Sequence, residues 1–149
     1  MGDDLDIENR VVGYVPGVFD MFHIGHLNIL RRSSERCDVL IAGVVTDDAV
    51  EVMKGYRPIV PESERAEIVA SNRYVDHVMI DRSDDKRVVW NERRFDVIFK
   101  GSDWSDTDKG RRLETLMTEV GARVEYLPYT DHTSSTLLRQ TLNRIATAL

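Results

Sequence analysis

Gly17-Val18-Phe19-Asp20-Met21-Phe22-His23-Ile24-Gly25-His26 follows the apolar run Val11-Val12-Gly13-Tyr14-Val15 and opens the helix-like segment Leu27-Asn28-Ile29-Leu30-Arg31-Arg32. Strand, glycine turn and helix N-terminus succeed one another. Residues three apart share a helix face, so His23 and His26 point the same way. A helix N-terminus carries free N–H groups and attracts anions. Two imidazoles aimed at such a pocket suit a reaction in which negative charge grows on a phosphate.

Outward from that turn, strand-like and helix-like segments alternate. Val11–Val15 reads as a first strand and Ile24–Glu35 as a first helix. Asp38–Val45 is a continuous apolar run, the mark of a strand covered on both faces. Thr46 or Asp47 can cap a short helix over Asp48–Met53, and Lys54–Pro61 is a loop by its Gly and two Pro. Pro61 and Glu62 suit the first turn of a helix reaching about Asn72. Val75–Ile80, Phe95–Lys100 and Ala122–Leu127 read as further strands, with helices expected over Asp84–Arg93, Asp108–Val120 and Ser135–Ala148. Gly121 is a natural C-terminal stop. The pattern predicts an α/β fold: a Rossmann-like, doubly wound sheet of five parallel strands with helices on both faces. Such sheets bind ligands at the carboxyl ends of their strands, where nearly every unusual polar cluster here falls.

The chain has 149 residues, enough for one domain over 11–149 after a solvated acidic leader, 1–10. A net charge of −6 argues against a general nucleic-acid binder, which needs clustered positive charge. No apolar run approaches the length of a membrane span, and nothing resembles a targeting peptide, so a cytoplasmic location is expected. The single cysteine, Cys37, excludes an internal disulfide and suits packing beside the second strand.

Three further clusters sit at strand ends. Lys54, Arg57 and Arg65 place positive charge on and after a Gly-Pro loop that can swing over a polyphosphate. Gly101-Ser102-Asp103-Trp104 follows Lys100: the glycine allows a close turn, the aspartate can bond ribose hydroxyls, and the indole can wall off a pocket. Tyr129-Thr130-Asp131-His132-Thr133-Ser134-Ser135-Thr136 opens the last helix with more hydroxyls than an N-cap needs. Asp20 can hold Mg²⁺, orient a neighbour, or form an Asx turn. Gly17 lets backbone approach a phosphate. His77, within a strand, reads as packing or interface, and His132 as a loop cap.

G-x-F-D-x-x-H-x-G-H over residues 17–26 resembles the signature of the HxGH nucleotidyltransferases, most of all the glycerol-3-phosphate cytidylyltransferases. Glu64-Arg65 resembles that family's (E/H)-R, Gly101–Trp104 its G-x-D-W, and residues 129–136 its R-T-E-G-I-S-T-T. Val18 replaces a frequent Thr, Tyr129 an Arg, His132 a Gly and Thr133 an Ile.

The resemblance implies that a small phosphorylated acceptor attacks the α-phosphorus of a nucleoside triphosphate, CTP by preference, releasing pyrophosphate, with Mg²⁺ as cofactor and no firmly assigned metal ligands. His23, His26, Lys54 and Arg65 are then catalytic. Gly17, Val18, Phe19, Asp20 and Gly25 contact the nucleotide, as do Lys100, Gly101 and Asp103 and, at the last helix, Tyr129, Thr130, Thr133, Ser134, Ser135 and Thr136. Arg57 and Trp104 contact the acceptor. Asn72–Asp76 resembles a run near the family's subunit contact, which implies a homodimer. The lost Arg leaves open an adenylyltransferase using ATP and a sugar phosphate or similar acceptor. A non-catalytic nucleotide-binding regulator is the remaining alternative.

Overall fold

In the computed structural model, residues 9–130 and 132–149 are described; residues 1–8 of the expected leader and Asp131 lie outside them. Five strands form one parallel sheet: β1 (Val12–Gly17), β2 (Val39–Val45), β3 (His77–Asp81), β4 (Val97–Gly101) and β5 (Arg123–Leu127). Their spatial order is β3-β2-β1-β4-β5. The chain winds outward from β1 to β3, returns across β1, and adds β4 and β5. The change of direction between β1 and β4 opens a crevice at their carboxyl ends.

Alternation along the strands divides the core in two. Val15, Leu40, Ala42, Val44 and Phe99 face one layer, packed with Leu30 of α1 (Ile24–Ser34) and Val69 of α3 (Glu62–Ala70). Tyr14, Ile41 and Ile98 face the other, with Val89 of α4 (Lys86–Glu92) and Leu113 and Met117 of α5 (Asp108–Val120). Both faces of β2 are therefore covered, which is why its sequence is an unbroken apolar run. Two further helices, α2 (Asp47–Lys54) and α6 (Ser135–Ala148), flank the carboxyl edge. No helix among the described residues is long and apolar enough to cross a membrane.

Element ends differ from the sequence reading for a recurring reason. Asp38, Asp76 and Asp96 each stand just before a strand and accept a backbone N–H from the neighbouring one: Val11, Leu40 and Val12 at 2.8 Å. The strands consequently start after these carboxylates, at Val39, His77 and Val97. β1 runs on to Gly17 because Pro16 and Gly17 stay in register with Gly43 and Val44. Thr46 caps α2, and its Oγ1 accepts from the Ala49 N–H. After the close turn allowed by Gly101, Ser102–Trp104 wind into a 3₁₀ turn.

Beneath the carboxyl edge lie two buried polar knots. Tyr14 Oη donates to Asp81 Oδ2 at 2.6 Å, and Lys86 Nζ donates to the same oxygen at 2.7 Å. The phenol passes so close over β2 that a Cβ at Gly43 would lie 1.8 Å from it, so only glycine fits. Burial and the Asp81 carboxylate hold the Tyr14 hydroxyl far above its ordinary value.

Arg65 makes the second knot, with its side chain at 0% exposure. Its Nε donates to Val60 O, Nη1 to Val18 O and Val45 O, and Nη2 to Asp47 Oδ1 at 2.6 Å. One guanidinium thus ties the turn after β1, the end of β2, the start of α2 and the 54–61 loop together. Truncation to alanine would leave three carbonyls and a carboxylate without their donor. Arg65→Ala is therefore expected to cost about 3–5 kcal/mol of unfolding free energy in urea titration, the range for breaking a buried pair. A loss below about 1 kcal/mol, as for an ordinary surface substitution, would contradict this role.

Candidate active site

A cleft of about 300 Å³ opens at the carboxyl ends of β1 and β4. The N-termini of α1 and α6 converge on it: a Cβ at Gly25 in α1 would lie 3.5 Å from Thr133 O, just ahead of α6. Both helices therefore direct unpaired N–H groups and the positive ends of their dipoles at one space.

His23 is the N-cap of α1, and the two motif histidines complete the cap between them. Gly25 N–H donates to His23 Nδ1 at 3.0 Å, and His23 N–H donates to His26 Nδ1 at 3.2 Å. Gly25 is required because a Cβ there would sit 2.8 Å from His23 Cε1, displacing the ring from its cap. Each Nδ1 is an acceptor, so each neutral ring carries its proton on Nε2. Burial lowers the His23 pKa. Burial and the neighbouring His23 lower that of His26 to about 3. The rings lie 3.9 Å apart, and Phe19 and Phe22 each pack at 5.4 Å from His26. Two neutral Nε2–H donors, locked by a helix cap, line an anion-attracting cleft.

The turn that delivers them is strained, with Phe19 at φ 54° and Met21 at φ 48°. Asp20 holds it in place. Its Oδ2 accepts from Ile59 N–H at 2.8 Å and its Oδ1 from Val60 N–H at 2.9 Å. Asp20 lines the cleft, and each of its oxygens also anchors the basic loop through one of these amides. Ser135 Oγ donates to the Asp20 carbonyl at 2.6 Å and lies 3.4 Å from His23 Nε2, linking α6 to the histidine turn.

Gly17, Val18, Lys54, Lys100, Gly101, Asp103 and Trp104 line the cleft. On the α6 side, Tyr129, Thr130, Thr133, Ser134, Ser135 and Thr136 line it too. Of the α6 hydroxyls, Ser134 Oγ is used as the helix cap, accepting from Leu137 N–H, and Thr130 Oγ1 accepts from Asn28 Nδ2. Lys100 Nζ stands 3.7 Å above the Trp104 ring. Burial, then repulsion from Lys86, lowers its pKa to about 7.

Two expected ligands are not brought there. Arg65 lies under the cleft with its guanidinium engaged as described above, so it supports the loop rather than meeting phosphate. Arg57 faces outward, pairing with Asp48 at 2.9 Å and Glu51 at 2.7 Å, and does not line the cleft. In their place stands Arg139, absent from the sequence reading, with its guanidinium 3.8 Å over the Tyr56 ring and 3.9 Å from Asp20. Its signal was the spacing: Arg139 follows Ser135 by one helical turn and shares its face. Among the described residues, no group of three or more His, Cys, Asp or Glu could hold a metal. With Asp20 engaged, Asp103 is the carboxylate in the cleft that fits a Mg²⁺ carried in on a triphosphate.

Comparison with known proteins agrees with this geometry. Residues 14–141 match the family described as cytidylyltransferase-like. A protein named FAD synthase from Pyrococcus horikoshii is 39% identical over 132 residues, covering 87% of this chain and 85% of its own. The "Bifunctional protein HldE" of Syntrophotalea carbinolica is 31% identical over 148 residues; they cover 95% of this chain but only 30% of that protein. The crystal structure of a lipopolysaccharide core biosynthesis protein from Thermoplasma volcanium superposes with a TM-score of 0.70 at 24% identity, over 83% of this chain and 99% of that one, a likeness of fold. The chain belongs to the cytidylyltransferase-like family of nucleotidyltransferases.

Proposed function

We propose that this nucleotidyltransferase moves an adenylyl group from ATP to a small phosphorylated acceptor and releases pyrophosphate. The observation that carries the transfer chemistry is the reciprocal histidine cap. It presents two preorganised, uncharged Nε2–H donors where the α-phosphate would lie between two helix N-termini. Such donors need no proton transfer during the reaction; they strengthen their bonds as charge grows on the non-bridging oxygens. Lys54 and Arg139 would neutralise the triphosphate, and the N–H groups of Ser135 and Thr136 with the hydroxyls of Ser134 and Thr136 would take its distal oxygens. Mg²⁺, when bound with the triphosphate, would offset charge on the leaving pyrophosphate, with Asp103 as its protein partner.

The preference for ATP rests on likeness to proteins named FAD synthase over most of both chains, since FAD carries an adenylyl group. Tyr129 agrees with it, offering a ring for stacking in place of a charged donor. Gly101-Ser102-Asp103-Trp104 favours the second reading, CTP with a glycerol 3-phosphate-like acceptor.

Replacing His26 by alanine is expected to lower kcat by about 10²–10³ with little change in nucleotide affinity, as for loss of one preorganised donor. Near-normal turnover in pyrophosphate-release assays would remove the basis of the mechanism. Calorimetric titration separates the two nucleotides: ATP is expected to bind at least about tenfold tighter than CTP, because a pocket fitted to one base edge leaves polar groups unpaired against another. Tighter CTP binding, with pyrophosphate released from CTP alone, would establish the cytidylyl reading instead.

A further inference from the structure

Asn28 stands half-buried one turn into α1 and does not line the cleft. Its amide lies between a cation and a hydroxyl. Arg31 Nη2 donates to Asn28 Oδ1 at 2.7 Å, and Asn28 Nδ2 donates to Thr130 Oγ1 at 3.0 Å. A guanidinium has donors only, so it decides which way the amide faces: carbonyl toward Arg31, NH₂ toward Thr130. Asn28, Arg31 and Arg32 follow one another at helical spacing and share a face of α1. Arg32 Nη1 donates to Pro128 O at 2.9 Å, and from the other side Tyr129 N–H donates to Ser102 Oγ at 3.1 Å. Residues 128–130 are thus gripped between α1 and the turn after β4, which holds Thr130 in the wall of the cleft.

A threonine hydroxyl has one proton to give and two lone pairs to offer. Asn28 fills one lone pair. Among the described residues Thr130 Oγ1 donates to no acceptor, so its proton is left for whatever enters the cleft. We infer that Asn28 is a positioning residue: with Arg31 behind it, it fixes Thr130 as a hydrogen-bond donor toward an acceptor atom of the bound nucleotide. The bonds run in one direction, from guanidinium to amide to hydroxyl to ligand, and each polarises the next. Because the hydroxyl is oriented before binding, the nucleotide does not bear the cost of ordering it. This inference rests on the nucleotidyl-transfer reading of the cleft.

Asn28→Asp is the sharpest probe. A carboxylate keeps the shape of the amide and the pairing with Arg31 but has no proton to give. Thr130 must then donate to it and turn only lone pairs to the cleft. Calorimetric titration with whichever of ATP and CTP the wild-type protein binds tighter should show a loss of affinity of at least about tenfold. Thr130→Val, which removes the hydroxyl at nearly constant shape, should cost about as much, and Thr130→Ser should restore most of the affinity. In the Thr130→Val background, Asn28→Asp should change affinity by less than about twofold, since no hydroxyl is left to turn.

An equal loss from Asn28→Asp in both backgrounds would mark an effect of charge or packing and overturn the inference. Undiminished nucleotide binding by Thr130→Val would overturn it too. If Asn28→Asp does not fold, Asn28→Ala, which frees the hydroxyl to rotate, takes its place in the same cycle. A loss of at least about threefold is then expected with Thr130 and less than about twofold with valine. No loss with Thr130, or equal losses in both, would again overturn it. Wild-type protein that binds neither ATP nor CTP would bring down the nucleotidyl-transfer reading, and this inference with it.

Discussion

The reciprocal cap at the N-terminus of α1 is the constraint on which the site depends. Two backbone N–H groups that a helix start would otherwise leave unpaired are satisfied by imidazole nitrogens. The same bonds fix which nitrogen of each ring is left to face the cleft. Folding and chemistry thus use opposite edges of the same two side chains. Gly25 belongs to the device, since any Cβ there would push His23 off its cap. Burial lowers the pKa of both rings, that of His26 to about 3, which favours the neutral, hydrogen-bond-donating form.

A second layer holds that cap against the rest of the molecule. Asp20 ties the strained turn to the backbone of Ile59 and Val60, and Arg65 ties the same turn to β2 and α2 from below. The loop that carries Tyr56 is therefore held at Ile59 and Val60 by both the histidine turn and the buried guanidinium. Ser135 closes the circuit by bonding the Asp20 carbonyl. Positive charge is so distributed that structural cations lie beneath the cleft and unmatched ones at its mouth.

Much of this was legible in the chain because it is local. The unbroken apolar run of β2 announces burial on both faces, Gly121 ends α5 in the left-handed conformation at φ 81°, and the hydroxyls ahead of α6 announce its start. The histidine motif places itself, since a strand, a turn and a helix cap lie within one short stretch. What stayed hidden depends on partners far along the chain. Arg65 and Arg57 read alike as loop-side cations, yet Val18 and Val45 draw one inward while Asp48 and Glu51 hold the other outside. Asp20 reads as a phosphate-site carboxylate, and its second task, holding the amides of Ile59 and Val60, depends on residues about forty positions on. Arg139 sits in a helix whose far end is exposed, and only the approach of α6 to the histidine turn brings it to the cleft.

The central claim is that both histidines are neutral with the proton on Nε2, set by the cap. Long-range ¹H–¹⁵N correlation spectra of the ¹⁵N-histidine-labelled protein read tautomer and charge directly. At pH 7 to 8 the account predicts neutral Nε2–H patterns for both His23 and His26, and no titration of His26 down to pH 5, since burial and His23 lower its pKa to about 3. An Nδ1–H tautomer at either ring, or a His26 midpoint near the ordinary value of about 6.5, would contradict it.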